Sequence, residues 1–193
     1  MGNLRRSRGY AFEHDLVGRF NFAEDWWARR LGGSSTGLPD IVATNNRTGT
    51  LLVLECKSTY SNEVYIPPDQ VERCQTVCDG FGYYPDKHII FAIKFARHVL
   101  KEGGKYKKKR QPKTYYIDVS SELGLYNAIG EYTTFKATYD RKLSWISDKT
   151  SSISIRIQNC DYYPEYPMPW DRVRGLFDWD TSQAILKKEI EED

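Results

Sequence analysis

The feature that most constrains the fold of this sequence is an apolar segment, Leu51–Leu54, that runs directly into Glu55, Cys56 and Lys57. A short aliphatic run of this kind is typical of a strand. Because the side chains of a strand alternate between its two faces, Glu55 and Lys57 project together and Cys56 projects to the opposite face. Charged groups at the end of so apolar a strand are costly to bury unless they are paired. Glu55 and Lys57 are therefore candidates for a functional pair of charges.

A second strand-like segment, Asp40–Ala43, precedes the first and is joined to it by residues 44–50, which are rich in Asn, Thr and Gly. This composition predicts a hairpin turn. The hairpin places Asp40 beside the end of the strand that holds Glu55. Two carboxylates that converge with one ammonium group make an oxygen-rich site suited to Mg²⁺. Phosphodiester hydrolysis needs such a metal to activate water, together with a group such as Lys57 that orients the nucleophile.

The alternative is that Glu55 and Lys57 form an ordinary solvated pair on an exposed strand, which is the common outcome for this spacing. Three features favour a functional site instead. They are the apolar run itself, the Pro39-Asp40 pair at hairpin distance, and the Gly- and Ser-rich segment that directly precedes that pair.

The rest of the chain is expected to be a mixture of helices and strands. Phe12, Leu16 and Phe20 form one apolar stripe, which predicts a helix over Tyr10–Phe22. Residues 26–31 fit either an extension of that helix or a strand. The other expected elements are a helix over 67–79, strands over 88–95 and 115–119, a loop over the lysine-rich run, strands within 133–146 and 153–157, and a closing helix over 181–192.

The charges are unevenly distributed, although the formal net charge is only +2. Between Lys94 and Lys113 nine Lys and Arg residues accompany a single acid, whereas nine acids and four bases follow from Asp161 to the end. A basic block of this kind indicates an anionic partner, with nucleic acid first, and a solvated loop is the alternative. We expect backbone contacts to DNA from a cluster within it: Lys107, Lys108, Lys109 and Arg110.

The chain is not expected to be a membrane protein or a secreted protein. No apolar run approaches the roughly 18 residues that a membrane helix needs, and the basic N-terminus leads into no apolar signal segment. The four cysteines form no CxxC pair and have no nearby His to complete a zinc set, which favours buried thiols in a reducing interior.

The pattern Pro39-Asp40 followed by Glu55-x-Lys57 resembles that of the PD-(D/E)xK nuclease superfamily, a motif that is weakly specific by itself. A longer ordered set of residues, which is considerably more specific, resembles the archaeal Holliday junction resolvases. The resemblance covers about residues 5–119. Its segments are Arg8–Glu13, Arg30-x-x-Gly33-Ser34, Pro39–Ala43, Leu54–Thr59, Tyr65-Ile66 and Ala92–Phe95.

This resemblance implies an α/β fold with a restriction-endonuclease-like mixed β-sheet flanked by helices. It implies a nuclease core at residues 1–119, and we expect residues 120–193 to be a C-terminal extension packed on that core. It also implies a Mg²⁺-dependent endonuclease that cleaves four-way junctions, with Mn²⁺ able to substitute. Because two symmetric cuts are needed, we expect a homodimer, located in the cytoplasm with the nucleoid.

The site residues follow from the same resemblance, position by position. Glu13, Asp40 and Glu55, with the backbone carbonyl of Cys56, would hold the metal, and Lys57 would orient the water. The implied catalytic set is Glu13, Ser34, Asp40, Glu55 and Lys57, and the implied DNA contacts, besides the lysine cluster, are Arg5, Arg6, Arg8, His14, Arg30 and Ser34.

Two positions depart from the family pattern. His14 stands where the resolvases usually have Arg, and the segment from Ser34 to Asp40 is about two residues longer. Two alternatives accompany the expected function. One is another nuclease of the superfamily acting on mismatched, flapped or duplex DNA, and the other is a DNA-binding protein that keeps the fold without the chemistry.

Overall fold

The computed structural model describes residues 4–32, 37–96, 99–102, 105–109, 111–120, 133–147 and 152–156. Within these residues a long helix is followed by strands and one further helix. In chain order the elements are α1 Leu4–Phe22, β1 Trp26–Arg30, β2 Ile41–Asn45, β3 Thr50–Thr59, β4 Glu63–Ile66, α2 Pro68–Gly80, β5 Asp86–Phe95, β6 Val99–Glu102, β7 Lys105–Lys109, β8 Lys113–Asp118, β9 Thr133–Thr138, β10 Lys142–Ser147 and β11 Ser152–Arg156. Neither of the helices in the described part of the chain is both long and apolar enough to cross a membrane.

The central sheet has five strands in the order β1-β2-β3-β5-β8. β3 and β5 run parallel, whereas every other neighbouring pair in this sheet is antiparallel. β3 and β5 can run parallel because the connection between them, which contains α2, returns the chain to the end of the sheet at which β3 begins. The expected mixed α/β sheet flanked by helices is confirmed.

β3 is the middle strand, and a helix covers each of its faces. Leu52 and Leu54 pack on one face against an apolar stripe of α1 that includes Leu16. Val53 packs on the other face with Cys74 of α2. This double cover explains why Leu51–Leu54 is apolar at every position, since each side chain enters one core or the other. It also leaves Glu55 and Cys56 on opposite sides of the sheet.

A second sheet joins β4 to residues far along the chain, in the order β11-β10-β9-β4. Phe135 of β9 is fully buried and meets Phe91 of β5 edge to face, with ring centroids 5.2 Å apart. Ala137 and Leu143 enter the same core. Residues 133–143 thus share the core of the central sheet, and the division of the chain at residue 119 stays a prediction.

The structure corrects one expectation and decides between two others. The lysine-rich run is not a loop: β6 and β7 pair antiparallel within it, and the Gly103-Gly104 pair in the sequence between them is a hairpin-turn signal. Residues 26–30 form a strand rather than an extension of α1. The closing helix expected over 181–192 lies outside the described residues.

Candidate active site

Asp40 and Glu55 meet where β2 and β3 begin to separate. The last ladder partners at this end are Ile41 and Leu54, so the two acids occupy the next positions along their segments. Beyond this pair, the side chain of Asp40 replaces the backbone hydrogen bonds of the strand ladder. Its Oδ2 accepts a 2.7 Å hydrogen bond from the backbone N–H of Cys56. The strand end thus fixes the orientation of this carboxylate, as the hairpin interpretation of the sequence predicted in outline.

The backbone carbonyl of Cys56 points toward the same opening. The N–H and C=O of one strand residue are directed to the same side, so the carbonyl of Cys56 faces the side on which its N–H meets Asp40. β2 begins only at Ile41 and supplies no ladder partner at this level. A backbone oxygen therefore stands beside the two carboxylates.

Glu55 is almost completely buried, with 1% of its surface exposed. Its Oε1 accepts a 2.6 Å hydrogen bond from Nζ of Lys57 and lies 3.4 Å from Nη2 of Arg73 on α2. Its Oε2 is buried and has no hydrogen-bond partner. Burial raises the pKa of this carboxyl, the nearby ammonium of Lys57 opposes that rise, and the negative charge of Asp40 adds to it.

Glu13 approaches from the other face of the sheet, on α1. Its Oε2 accepts a 2.6 Å hydrogen bond from Nε of Arg30, the last residue of β1. Burial raises the pKa of Glu13, the hydrogen bond from Arg30 opposes the rise, and the charge of Asp40 adds to it. Arg30 also donates to the carbonyl of Gly32 at 3.1 Å and lies 4.1 Å from the ring centroid of Tyr10.

The negative charges of all three acids act on Cys56. Burial raises the pKa of the Cys56 thiol well above its ordinary value, and the negative charges of Asp40, Glu13 and Glu55 raise it further. The structure thus brings Glu13, Asp40, Glu55, Cys56 and Lys57 together at one end of β3, although the sequence places Glu13 far from the others. Cys56 itself is a buried free thiol, as are Cys74 and Cys78.

The donor set has the chemistry that a hard divalent cation requires. Three carboxylates and a backbone carbonyl are oxygen ligands of the type that Mg²⁺ and Mn²⁺ prefer. A buried carboxylate oxygen without a partner is costly, and a bound cation would satisfy Oε2 of Glu55. In the described arrangement Arg30, Lys57 and Arg73 compensate the carboxylates, and no three His, Cys, Asp or Glu residues within the described ranges stand close enough together to hold a metal.

Only some of the residues expected to contact DNA have described side chains. His14 is exposed on α1, with its ring centroid 4.5 Å from that of Tyr10. The backbone of Arg5, Arg6 and Arg8 lies in the first turns of α1, but their side chains are outside the described part. Ser34 and Arg110 also lie outside it, and the lysine cluster is described only by its backbone on β7.

Sequence reasoning missed Arg73. It sits on α2 one position before the buried Cys74, and its guanidinium reaches Glu55 across the interface between α2 and β3. The available signal was a basic residue at the margin of the apolar stripe of a helix, which is usually a solvated position. Only the docking of α2 on β3 turns it toward the acids.

A five-stranded mixed sheet with a helix on each face, and with Asp, Glu and Lys where two strands separate, is the arrangement that the resemblance to PD-(D/E)xK nucleases implied. The chain belongs to the archaeal Holliday junction resolvase (Hjc) family, whose model matches residues 4–135.

No curated protein matches the chain significantly. Sixteen chains of solved structures do match. Among them is the 1.6 Å resolution structure of Hjc from Archaeoglobus fulgidus, a Holliday junction resolvase from an archaeal hyperthermophile, with 28% identity over 52% of this chain and 85% of that chain and a TM-score of 0.38.

Proposed function

We propose that this protein is a Mg²⁺-dependent endonuclease that cleaves four-way DNA junctions by hydrolysing phosphodiesters. The observation that carries the proposal is the position of Asp40 and Glu55 just beyond the last ladder pair of β2 and β3, with Asp40 hydrogen-bonded to the Cys56 N–H and Glu55 to Lys57. Membership of the archaeal resolvase family supports the choice of a branched substrate.

The metal would be held by Asp40, by Oε2 of Glu55 and by the backbone carbonyl of Cys56, with Glu13 assisting from α1. When bound, Mg²⁺ or Mn²⁺ lowers the pKa of a coordinated water and neutralises charge that develops on the phosphate. The protein contributes an arrangement fixed in advance, since the Cys56 N–H already orients Asp40 and Arg30 already restrains Glu13.

Lys57 orients the attacking water in this proposal. An ammonium group has three donors, and the hydrogen bond to Oε1 of Glu55 uses one of them. The side chain is 21% exposed, so the remaining donors can reach a water or a phosphate oxygen at the surface. Ser34 and Arg30 are proposed to contact the DNA around the scissile phosphate.

DNA affinity is proposed to come from basic residues around this centre. The candidates are Arg5, Arg6, Arg8 and His14 on α1 and the lysine cluster on β7 with Arg110. Contacts of this kind neutralise phosphates and position the duplex arms without identifying their sequence.

A homodimer completes the proposal. Resolution of a four-way junction requires cuts in two strands, and a two-fold dimer presents two equivalent sites in matching orientation. We also propose that the protein acts in the cytoplasm with the nucleoid, where its DNA substrate would lie.

A nicking assay tests whether the protein is an enzyme at all. Purified protein is incubated with a labelled junction in Mg²⁺, in Mn²⁺, in Ca²⁺ and in a chelator. Cleavage in Mg²⁺ and Mn²⁺ that is lost with the chelator supports the proposal. Binding without cleavage under every condition identifies a DNA-binding protein that keeps the fold without the chemistry, and it overturns the proposal.

A further inference from the structure

The carboxylate of Glu55 is held from two different elements. Lys57 approaches along the same strand, at 2.6 Å from Oε1, and Arg73 approaches from α2, at 3.4 Å from the same oxygen. Both cations are largely shielded from water, with 21% and 15% of their side chains exposed. Two positive charges therefore compensate one buried carboxylate oxygen.

The ammonium of Lys57 cannot keep its short hydrogen bond to Glu55 unchanged and also move to donate to the substrate. If its ammonium moves toward a water or a phosphate oxygen, its short hydrogen bond to Glu55 lengthens. A carboxylate as buried as Glu55 then needs another compensating charge, because removal of one partner from a buried ion pair is strongly destabilising.

Arg73 has the unused capacity to meet this need. Its Nε is buried and has no hydrogen-bond partner, while its Nη2 already faces Glu55. Nε and Nη2 are two donors of one planar group, which suits a two-point contact with a carboxylate.

We propose that Arg73 is a positioning residue: it holds the Glu55 carboxylate from α2, so that Lys57 can leave that carboxylate and donate to the water or the DNA phosphate. The inference rests on the proposed nuclease function. It assigns Oε1 of Glu55 to the two cations and keeps Oε2, which has no partner, for the metal.

The test compares three variants of the full chain: Arg73→Met, Arg73→Lys and, as a matched control, Arg47→Met. Arg47 also pairs with a carboxylate, that of Asp25 at 2.6 Å, but 76% of its side chain is exposed. It lies in the turn between β2 and β3, at the opposite end of the hairpin from Glu55.

The first measurement is calorimetric titration of the DNA-free protein with Mn²⁺. Arg73→Met is expected to weaken Mn²⁺ binding by about tenfold or more, as loss of a residue that orients a metal ligand generally does. The Mn²⁺ affinity of Arg73→Lys is expected to lie between those of Arg73→Met and the wild type, because Lys keeps the positive charge but lacks the two coplanar donors of Arg. Arg47→Met is expected to bind Mn²⁺ as the wild type does.

The second measurement is the rate of junction cleavage at saturating Mg²⁺ and saturating protein, together with junction affinity. Arg73→Met is expected to lower the rate by about tenfold or more while junction affinity stays within twofold or so of the Arg47→Met value. A residue that only supports the fold would change neither Mn²⁺ binding nor the saturated rate in folded protein.

The outcomes separate the two proposals. If the wild type cleaves no DNA, the proposed function fails, and the Mn²⁺ titrations still decide the role of Arg73. If Arg73→Met binds Mn²⁺ and cleaves as Arg47→Met does, the positioning role is overturned. Should Arg73→Met fail to fold, Arg73→Lys decides alone, and wild-type behaviour of that variant in both measurements overturns the inference.

Discussion

The backbone N–H of Cys56 donates a 2.7 Å hydrogen bond to Oδ2 of Asp40, and this contact replaces the strand ladder at the point where β2 and β3 separate. Hydrogen bonds to an ionised carboxylate are shorter and stronger than those between neutral groups. The bond therefore fixes both the end of the hairpin and the direction of the carboxylate. The side chain of Asp40 and the backbone of Cys56 form one unit.

Neutral substitution of either central acid is expected to abolish cleavage and to spare DNA binding. Asp40→Asn can keep the bond from the Cys56 N–H through its amide oxygen, and Glu55→Gln keeps the shape of the side chain, so both variants should fold. Junction affinity should stay within about fourfold of wild type, because affinity depends mainly on phosphate contacts elsewhere. Gel-shift titration and single-turnover cleavage measure the two quantities.

A surface acid provides the control for these variants. Asp25→Asn removes a carboxylate that pairs with Arg47, and Asn tolerates the positive φ of 65° at this position. It should cleave at the wild-type rate. Cleavage by Asp40→Asn or Glu55→Gln at near wild-type speed in Mg²⁺ would contradict the assignment of the site.

Glu55 should also destabilise the metal-free protein as the pH rises. Burial raises its pKa in the folded state, so the folded protein binds this proton more tightly than the unfolded chain does. Well below its unfolded pKa of 4.5 the carboxyl is protonated in both states and does not lower the free energy of unfolding. As the pH rises from there through the raised folded pKa, burial of the ionised carboxyl lowers the free energy of unfolding increasingly. Glu55→Gln should melt above wild type at pH 8.

Thermal melts of wild type and Glu55→Gln in a chelator, at several pH values from 4 to 9, measure this effect. The difference in melting temperature should shrink on acidification and become constant at high pH. A Glu55→Gln variant that melts below wild type at pH 8 would show that the ion pairs with Lys57 and Arg73 outweigh the cost of burial.

The central strand and its acids could be predicted because their signals are local. The apolar run before Glu55 and the turn composition after Asp40 lie within twenty residues of one another, and strand alternation then assigns each side chain to a face. The same reasoning placed Cys56 opposite Glu55, where it packs under α1.

Other parts of the site depend on how distant elements dock. Glu13 was expected only from the resemblance, because no local pattern shows that α1 brings it beside Asp40. Arg73 was missed for the same reason on α2. The lysine-rich run was expected to be a loop because its charge masked two short strands that pair with each other.

The lysine cluster is expected to contact the DNA backbone. Replacing Lys107, Lys108, Lys109 and Arg110 with Ser or Ala should weaken binding similarly for all DNA sequences, because each phosphate contact releases condensed counterions. The slope of log K against log salt should become shallower by about two to four, at roughly 0.9 per contact. Titrations of wild type and the quadruple variant at three salt concentrations measure it, and an unchanged slope would show that the run is solvated or is neutralised within the protein.

A homodimer should appear in solution. Light scattering or sedimentation at micromolar concentration should give about twice the chain mass of 22.5 kDa. The aromatic residues near the C-terminus supply apolar surface of the kind that interfaces bury, although they lie outside the described residues: Tyr162, Tyr163, Tyr166 and Trp170. A strictly monomeric protein with full junction activity would contradict the dimer.

The most direct test of the central claim is cleavage of a four-way junction in competition with a linear duplex that contains the same arm sequences. Both are labelled, mixed in equal amounts and incubated with the protein in Mg²⁺, and the cut sites are mapped on each strand. The account predicts paired cuts at symmetric positions in two strands of the junction, little cutting of the duplex, and no cutting by Asp40→Asn. Equal cutting of junction and duplex, or cuts that persist in Asp40→Asn, would contradict it.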